Sequence, residues 1–271
     1  MKRFLILVLG LMVSPLLVAG WVWLQIPSDH QIRGCLTTKM FQVELCPKSR
    51  NYVNLREISP YLVKTVVLTE DSLFWEHGGF DWESIKRNYE ENKRLGRYKR
   101  GGSTISQQLA KNLFLTAEKT FVRKGLEALI TLKIEKVLTK REILERYLNV
   151  IEFGKNIYGI RQAAQHYFKK HPRNLTIVES AFLAMLLPNP RSYAASFYRK
   201  ELTPFASRRI RQIVDNMYHY KRIEGHEYDS ALLELETFFQ PPETLETDNE
   251  TSSDALTLEN LEEEAEQEDR F

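Results

Sequence analysis

GGSTISQQLAKN, residues 101–112, is the stretch on which the prediction of fold and function depends most. Thr104, Gln108 and Lys111 recur here at the spacing that places side chains on one face of an α-helix. The neighbouring stripe is apolar and typical of a buried face: Ile105, Leu109 and Leu113. A helix that begins after Gly-Gly offers free backbone N–H groups and a positive dipole end, which suit an anion such as phosphate. An ordinary amphipathic helix with a capped start would have the same pattern.

The composition predicts a globular protein with a strongly uneven charge. The chain has 271 residues, of which 43% are apolar and 27% charged, enough for one large domain or two small ones. Residues 243–271 hold 12 acidic residues and one basic residue, so a charge of +13 on residues 1–242 opposes −11 in the tail. The basic part favours an anionic partner: nucleic acid, a membrane surface or a phosphorylated substrate.

The N-terminus narrows these classes. Lys2 and Arg3 precede 21 uncharged residues, Phe4 to Leu24, which are long enough to span a bilayer core as a helix. The basic flank predicts a single-pass anchor in the cytoplasmic membrane, with the remaining chain on the extracytoplasmic (periplasmic) side. A cleaved signal peptide is the alternative, although its apolar region is usually shorter. Either way the chain is exported, so we expect no nucleic-acid partner.

Four segments follow from these patterns: a membrane anchor (1–25), a connector (26–55), a mainly helical domain (56–225) and a C-terminal extension with an acidic, disordered tail (226–271). A hairpin is expected in the connector around residues 40–44. Cys35 and Cys46, the only cysteines, could form a disulfide in an exported protein or remain two buried thiols.

Start signals predict several helices in the domain 56–225. Ser59-Pro60 is typical of a helix start, and Thr139 and Thr176 each stand three residues before a glutamate, as in a capping box. AFLAMLL (181–187) is apolar on every side and predicts a central buried helix, and a further helix is expected from 204 to about 217. The basic segment 86–100 suggests a mobile or solvated loop.

Two glutamates carry the candidate chemistry. Glu70 follows Val63 and Val67 on an apolar helical face, so its carboxylate should be desolvated and its pKa raised, as a general base working near neutral pH requires. Arg123 and Lys124 share a helical face with Glu127 and should hold it ionised. A solvated helix end and a surface ion pair are the plainer alternatives for these two sites.

Four motifs, read in order, resemble those of the peptidoglycan glycosyltransferases, glycosyltransferase family 51, the transglycosylase domain of penicillin-binding proteins. They are EDSLFWEHGG (70–79), GSTISQQLAKN (102–112), RKGLE (123–127) and KREILERYLN (140–149). The resemblance extends over residues 59–193, about half of the chain. Any one motif could arise by chance, whereas four in family order are specific.

The resemblance implies a mainly α, lysozyme-like helical domain that polymerises lipid II into glycan strands. It implies that Glu70 is the base on the acceptor 4-hydroxyl and that Glu127 supports departure of undecaprenyl diphosphate, directly or through a divalent ion (Mg²⁺ or Mn²⁺). The growing strand would be the donor and lipid II the acceptor, with inversion at C1. The implied substrate-binding residues are His77, Ser103, Thr104, Gln108, Lys111, Asn112, Arg123 and Lys124.

Two features depart from the family pattern. Lys119 stands where an arginine is frequent, which keeps the charge but loses the bidentate geometry for phosphate. The acidic tail is not a family feature. With no Ser-x-x-Lys motif after residue 220, we expect a monofunctional enzyme.

The sequence therefore predicts a membrane-anchored enzyme of cell-wall synthesis without an organic cofactor. Its expected partners are lipid II, the growing glycan strand and proteins of cell-wall synthesis or division. A lytic muramidase of related fold would need one acidic glutamate and no cationic diphosphate site, so Lys111, Arg123 and Lys124 argue against it. A non-catalytic scaffold that binds lipid II is the third alternative.

Overall fold

A computed structural model describes residues 20–96, 102–118 and 120–239. Within these ranges, no helix combines the length and apolar character needed to cross a bilayer. Most of the predicted anchor (residues 4–24), Lys119 and the acidic tail after residue 242 lie outside the described residues.

The described chain is mainly helical, which confirms the predicted class. Residues 20–25 are helical. The helices that follow are α1 (Asp29–Arg33), α2 (Pro60–Glu70), α3 (Trp82–Leu95), α4 (Ile105–Phe114), α5 (Phe121–Val137), α6 (Lys140–Val150), α7 (Gly159–Phe168), α8 (Ile177–Leu186), α9 (Pro190–Tyr193), α10 (Ala195–Arg199), α11 (Pro204–His219) and α12 (Gly225–Glu236). Short 3₁₀ turns occupy Leu55–Glu57 and Pro172–Asn174.

Two small antiparallel hairpins interrupt the helices. In the first, β1 (Leu36–Thr37) pairs with β2 (Glu44–Leu45), and in the second, β3 (Glu152–Gly154) pairs with β4 (Ile157–Tyr158). The first confirms the hairpin expected in the connector. Cys35 and Cys46 form a disulfide at its base, which decides between the two alternatives for these cysteines.

The predicted start signals coincide with observed helix starts. Thr139 and Thr176 form complete capping boxes at the starts of α6 and α8. Pro60 opens α2 as predicted, but the hydroxyl of Ser59 donates to the carbonyl of Leu175 instead of capping the helix. Local sequence therefore fixed where these helices begin, and a tertiary contact determined the side-chain partner.

Helix α8 is the centre of the fold. All of its residues are buried, as its apolar sequence predicts, and α2, α11 and α12 pack against it. Phe238 contacts Phe182 of α8 at a ring-centroid distance of 5.7 Å. The first part of the C-terminal extension therefore packs on the same core as the catalytic segment.

Residues 86–95 are helical and not the expected loop, and residues 97–100 of this basic segment lie outside the described residues. Helix α3 continues to Leu95, and Gly96 ends it in a left-handed conformation (φ 63°). Asp81 caps the start by accepting from the backbone N–H of Ser84. Helix α3 has no buried residue, so its stability depends on capping and polar contacts, which charge counting along the sequence does not reveal.

Helix α4, which carries the opening motif, packs between α5 and α6. The tip of the β1–β2 hairpin contacts its far end: the backbone N–H groups of Lys39 and Met40 donate to the carbonyls of Leu113 and Asn112, at 3.0 and 3.3 Å. The connector thus satisfies carbonyls that the last turn of a helix leaves unpaired.

Candidate active site

Glu70 is the last residue of α2 and is half-buried beside α4. Its Oε2 accepts a hydrogen bond of 2.9 Å from Nε2 of Gln108. Burial raises the pKa of Glu70, as predicted; the Gln108 bond and the charges of Arg209 and Lys111 oppose this, while neighbouring Asp71 adds to it. A carboxylate in this setting is suited to accept a proton near neutral pH.

Lys111 lies one turn beyond Gln108 on α4. Burial lowers the pKa of its ammonium, and the charges of Arg123 and Lys124 lower it further, whereas Glu127 and Glu70 raise it. A single ammonium is therefore within electrostatic reach of both glutamates. The two acids are 57 residues apart in the sequence, yet the charges of both act on Lys111.

Glu127 is the centre of a cationic cluster on α5. It is only 2% exposed, and its two oxygens bind Nη1 of Arg123 at 2.8 Å and Nζ of Lys124. Lys124 also donates to the exposed hydroxyl of Ser103 at 3.4 Å, which links the cluster to the start of α4. Nε of Arg123 is buried and has no hydrogen-bond partner among the described residues.

A groove of about 540 Å³ lies beside this cluster, between α3 and the start of α4. It is lined by Ile85, Asn88, Tyr89, Asn92, Lys93, Gly102, Ser103, Gln107 and Lys124. Its mixed apolar and polar lining suits an elongated amphipathic ligand that ends at the cations.

Thr104 and His77 have internal partners. The Thr104 hydroxyl donates to the carbonyl of Gly79 at 2.7 Å and accepts from the start of α4, so Thr104 is the N-cap and is buried. His77 accepts from the N–H of Gly79 through Nδ1 and contacts Asp71 at 2.8 Å through Nε2. Their predicted role in binding substrate stays a prediction, whereas their contacts join the first two motifs.

The remaining predicted binding residue, Asn112, is 4% exposed at the end of α4. The structure thus brings Glu70 and Gln108 into contact, with Lys111 one turn along the same helix as Gln108. Ser103, Arg123, Lys124 and Glu127 form a second connected group. Among the described residues, no side-chain hydrogen bond joins Asn112 to either group.

Three residues that sequence reasoning missed support the site. Asp71 accepts from the N–H of Ile105 at 3.0 Å and so holds the start of α4. Tyr147 of α6 donates to Oε1 of Gln108 at 3.0 Å. Arg209 of α11 acts on Glu70 by its charge. Asp71 and Tyr147 lie within the first and fourth motifs, but the motifs did not indicate their contacts. For Arg209 the only signal was the basic run SRRIR (207–211) on a predicted helix, which does not show which way its side chain points.

The donor set around Glu127 does not form a metal centre. Both of its oxygens already bind cations, and the described residues contain no group of three or more acidic, histidine or cysteine side chains that could hold a metal ion. Mg²⁺ generally needs several oxygen ligands. The predicted divalent ion stays a prediction, and no step below depends on it.

The comparisons with known proteins agree with this geometry. A family model described as Transglycosylase matches residues 38–218. A biosynthetic peptidoglycan transglycosylase of Aromatoleum aromaticum is 49% identical over 162 residues, covering 60% of this chain and 69% of the relative. One of Acinetobacter baylyi is 40% identical over 198 residues, covering 71% and 88% respectively. The match includes both glutamates and all four motifs, and this chain belongs to the transglycosylase family.

Proposed function

We propose that this chain is a peptidoglycan glycosyltransferase of the cell envelope, which polymerises lipid II into glycan strands and releases undecaprenyl diphosphate. Family membership and the names of the relatives support the reaction class. The single observation that supports this assignment most is that the second motif contacts the surroundings of both acids: Gln108 donates to Glu70 at 2.9 Å, and Ser103 accepts from Lys124, which is paired with Glu127.

Glu70 is the proposed general base. The 4-hydroxyl oxygen of lipid II bonds to C1 of the growing strand while the bond from C1 to the diphosphate oxygen breaks. The electron pair leaves with the diphosphate, the hydroxyl proton passes to Glu70, and C1 is inverted. A base with a raised pKa holds that proton more readily than an exposed carboxylate would.

The cations of the cleft would stabilise the leaving diphosphate. Lys111, Arg123 and Lys124 offer ammonium and guanidinium donors, and the guanidinium fork matches phosphate oxygens. Glu127 holds Arg123 and Lys124 in place through its two ion pairs, so its proposed contribution to departure acts through their positions.

We place the enzyme at the outer side of the cytoplasmic membrane. The uncharged segment 4–24 supports an anchor. Trp23 and Leu24, at the end of that segment, are exposed and border a groove that also includes Leu129 and Leu132 of α5. Apolar side chains at this position suit a domain held close to lipid, where its lipid-linked substrate would lie.

Purified protein with lipid II tests this function, and Glu70→Gln is the decisive variant. We expect strand synthesis by the wild type and a loss of roughly 100-fold to 10,000-fold in kcat for the variant, since general base catalysis has that magnitude. Glu76→Gln is the matched control, because Glu76 is an exposed glutamate of the same motif, and its activity should remain near wild type.

Other outcomes point to the rival functions. Cleavage of finished peptidoglycan without strand synthesis would indicate a lytic enzyme. Lipid II binding with no turnover would indicate a scaffold. Equal activity of the wild type and Glu70→Gln would contradict the role of Glu70 while leaving the reaction class intact.

A further inference from the structure

Tyr147 and Gln108 form a chain of hydrogen bonds that ends on Glu70. Tyr147 lies on α6 and is completely buried. Its hydroxyl donates to Oε1 of Gln108 at 3.0 Å, and Nε2 of Gln108 donates to Oε2 of Glu70 at 2.9 Å. Three helices therefore converge on one carboxylate through a single amide.

The chemistry of the three groups determines which way the amide points. The Gln108 amide has one acceptor end and one donor end, and an ionised carboxylate can only accept. Burial, together with the nearby charges of Glu70 and Asp71, raises the pKa of Tyr147 well above its ordinary value, so the hydroxyl keeps its proton and can donate. Donation from Tyr147 to Oε1 leaves Nε2 facing Glu70.

The reversed amide would have two faults. Oε1 would face the ionised Glu70, placing two acceptors against each other. The hydroxyl proton of Tyr147 would lose its acceptor, since Gln108 Oε1 is the only partner of that hydroxyl within the described part of the chain. A buried polar group without a partner costs free energy, so Tyr147 biases the amide toward the observed orientation.

We propose that Tyr147 is a positioning residue of this site: its hydroxyl fixes the Gln108 amide with Nε2 toward Glu70 and so keeps that carboxylate ionised and ready to accept the proton of the acceptor sugar. The inference rests on the proposed function. Tyr147 touches no substrate and acts only through Gln108.

The bias also affects what happens after proton transfer. Protonated Glu70 can donate to Oε1 of Gln108, in which case Nε2 turns to the Tyr147 oxygen. That arrangement still leaves the Tyr147 proton without an acceptor among the described residues. Tyr147 therefore favours release of the proton from Glu70 to solvent, which restores the base for the next cycle.

Three other charged groups also affect the pKa of Glu70. Asp71 follows it in the chain and raises its pKa, while Lys111 of α4 and Arg209 of α11 lower it. The Gln108 bond lowers it as well. A substitution that disturbs only the amide leaves these charges unchanged, so any displacement of the Glu70 titration can be attributed to the amide.

The pH dependence of strand synthesis by Tyr147→Phe tests the inference. Loss of the hydroxyl frees the amide to reverse, so the pKa of Glu70 should rise, and the acid limb of the kcat profile should move up by roughly one pH unit, with KM little changed. Tyr167→Phe is the matched control. Tyr167 is also a buried tyrosine, with its hydroxyl bonded to the carbonyl of Phe153 at 2.8 Å, but lies outside this chain of bonds. The Tyr167→Phe variant should lose stability, but the acid limb of its kcat profile should stay at the wild-type pH.

The same substitution in a Gln108→Leu protein shows whether Tyr147→Phe acts through the orientation of the Gln108 amide or through a general loss of stability. In Gln108→Leu there is no amide to orient, so adding Tyr147→Phe should displace the limb no further. An unmoved limb in Tyr147→Phe, an equal shift in Tyr167→Phe, or an undiminished shift in the Gln108→Leu background would each overturn the inference.

Direct titration distinguishes failure of this inference from failure of the proposed function. Carboxyl-¹³C glutamate labelling, with the Glu70→Gln spectrum to assign the signal, reports the protonation of Glu70 without turnover. An upward shift in Tyr147→Phe supports the positioning role even if the wild type makes no strands. An unchanged titration in a protein that does make strands refutes the positioning role alone.

Discussion

The two carboxylates of the site differ in burial and in partners: Glu70 is half-buried, whereas Glu127 is only 2% exposed. Glu70 accepts from a neutral amide, and that hydrogen bond together with more distant charges favours its ionised form. Glu127 holds two cations in direct contact. The comparison teaches that the partner, as well as the burial, determines whether a carboxylate is suited to take up a proton or to organise positive charge.

The partners also come from different distances along the chain. Arg123 and Lys124 precede Glu127 by one helical turn on α5, so the cluster forms wherever that helix forms. Gln108 and Tyr147 reach Glu70 from α4 and α6, so the base depends on how three helices pack. The surroundings of Glu127 are therefore determined by local sequence, whereas those of Glu70 are determined by the tertiary fold.

Among substitutions near Glu127, Glu127→Gln should have the largest effect on activity and stability. The amide keeps the shape of the carboxylate but cannot neutralise Arg123 and Lys124. We expect kcat for strand synthesis to fall roughly 100-fold or more, because the cations lose their positions around the diphosphate. The free energy of unfolding should fall by about 1–3 kcal/mol, since a buried charge pair loses one member while Lys124 remains half-exposed. Turnover and urea unfolding would measure the two losses.

Asp215→Asn provides the control for that variant. Asp215 forms an ion pair with Arg211 at the same helical spacing, but both side chains are about half-exposed. Exposed pairs contribute about 0–1 kcal/mol, so this variant should lose little stability. Equal losses in Asp215→Asn and Glu127→Gln would show that burial of the Glu127 cluster has no energetic consequence.

Lys111→Ala tests the proposed contact between the Lys111 ammonium, on which the charges of both glutamates act, and the diphosphate. We expect kcat/KM for lipid II to fall roughly 10-fold to 100-fold, as loss of one charge-assisted contact to the diphosphate implies. Thermal stability should stay the same or increase, because burial of the ammonium disfavours its charged form. Steady-state kinetics and a thermal melt would measure the two effects.

Lys155→Ala is the matched control, since Lys155 is exposed in the β3–β4 turn and should be neutral in both measurements. If Lys111→Ala lost stability in proportion to activity, Lys111 would be a structural residue instead of a binding residue.

The difference between the surroundings of the two glutamates also explains what could be predicted from the sequence. The starts of α6 and α8 depend on capping residues three positions apart, and the Glu127 cluster depends on one helical turn. Such local signals can be read directly, and each was confirmed.

Tertiary contacts could not be predicted in the same way. Tyr147 lies in the fourth motif and Arg209 in a basic run, but both are far from Glu70 in the sequence, so neither pattern indicated that they act on it. Thr104 was placed correctly on the site helix, but its hydroxyl turns to the carbonyl of Gly79, 25 residues away. The spacing of side chains predicts a shared face, whereas the partner of each side chain depends on what packs against that face.

The smallest effect should be a gain of stability in Glu70→Gln. Burial raises the pKa of Glu70 above the ordinary 4.5 of a glutamate, so the folded protein binds this proton more tightly than the unfolded chain. The contribution of this group to stability is therefore complete below about pH 4.5 and is lost as the pH rises through the folded pKa. Near pH 7.5 the wild type carries a desolvated charge that the variant lacks. We expect the Tm of the variant to be higher there by about 2–4 °C, or about 1 kcal/mol.

The pH dependence separates this cause from any general improvement of packing. The difference in Tm should shrink toward zero as melts are repeated down to about pH 4.5, where the wild-type carboxyl also carries its proton. Glu76→Gln, at an exposed position, should show no such trend. A difference that is constant with pH, or a variant less stable than the wild type near pH 7.5, would mean that the Glu70 carboxylate is satisfied in the fold. In that case Glu70 and Glu127 would differ only in the identity of their partners. Desolvation of the carboxylate would then no longer explain how Glu70 serves as a base.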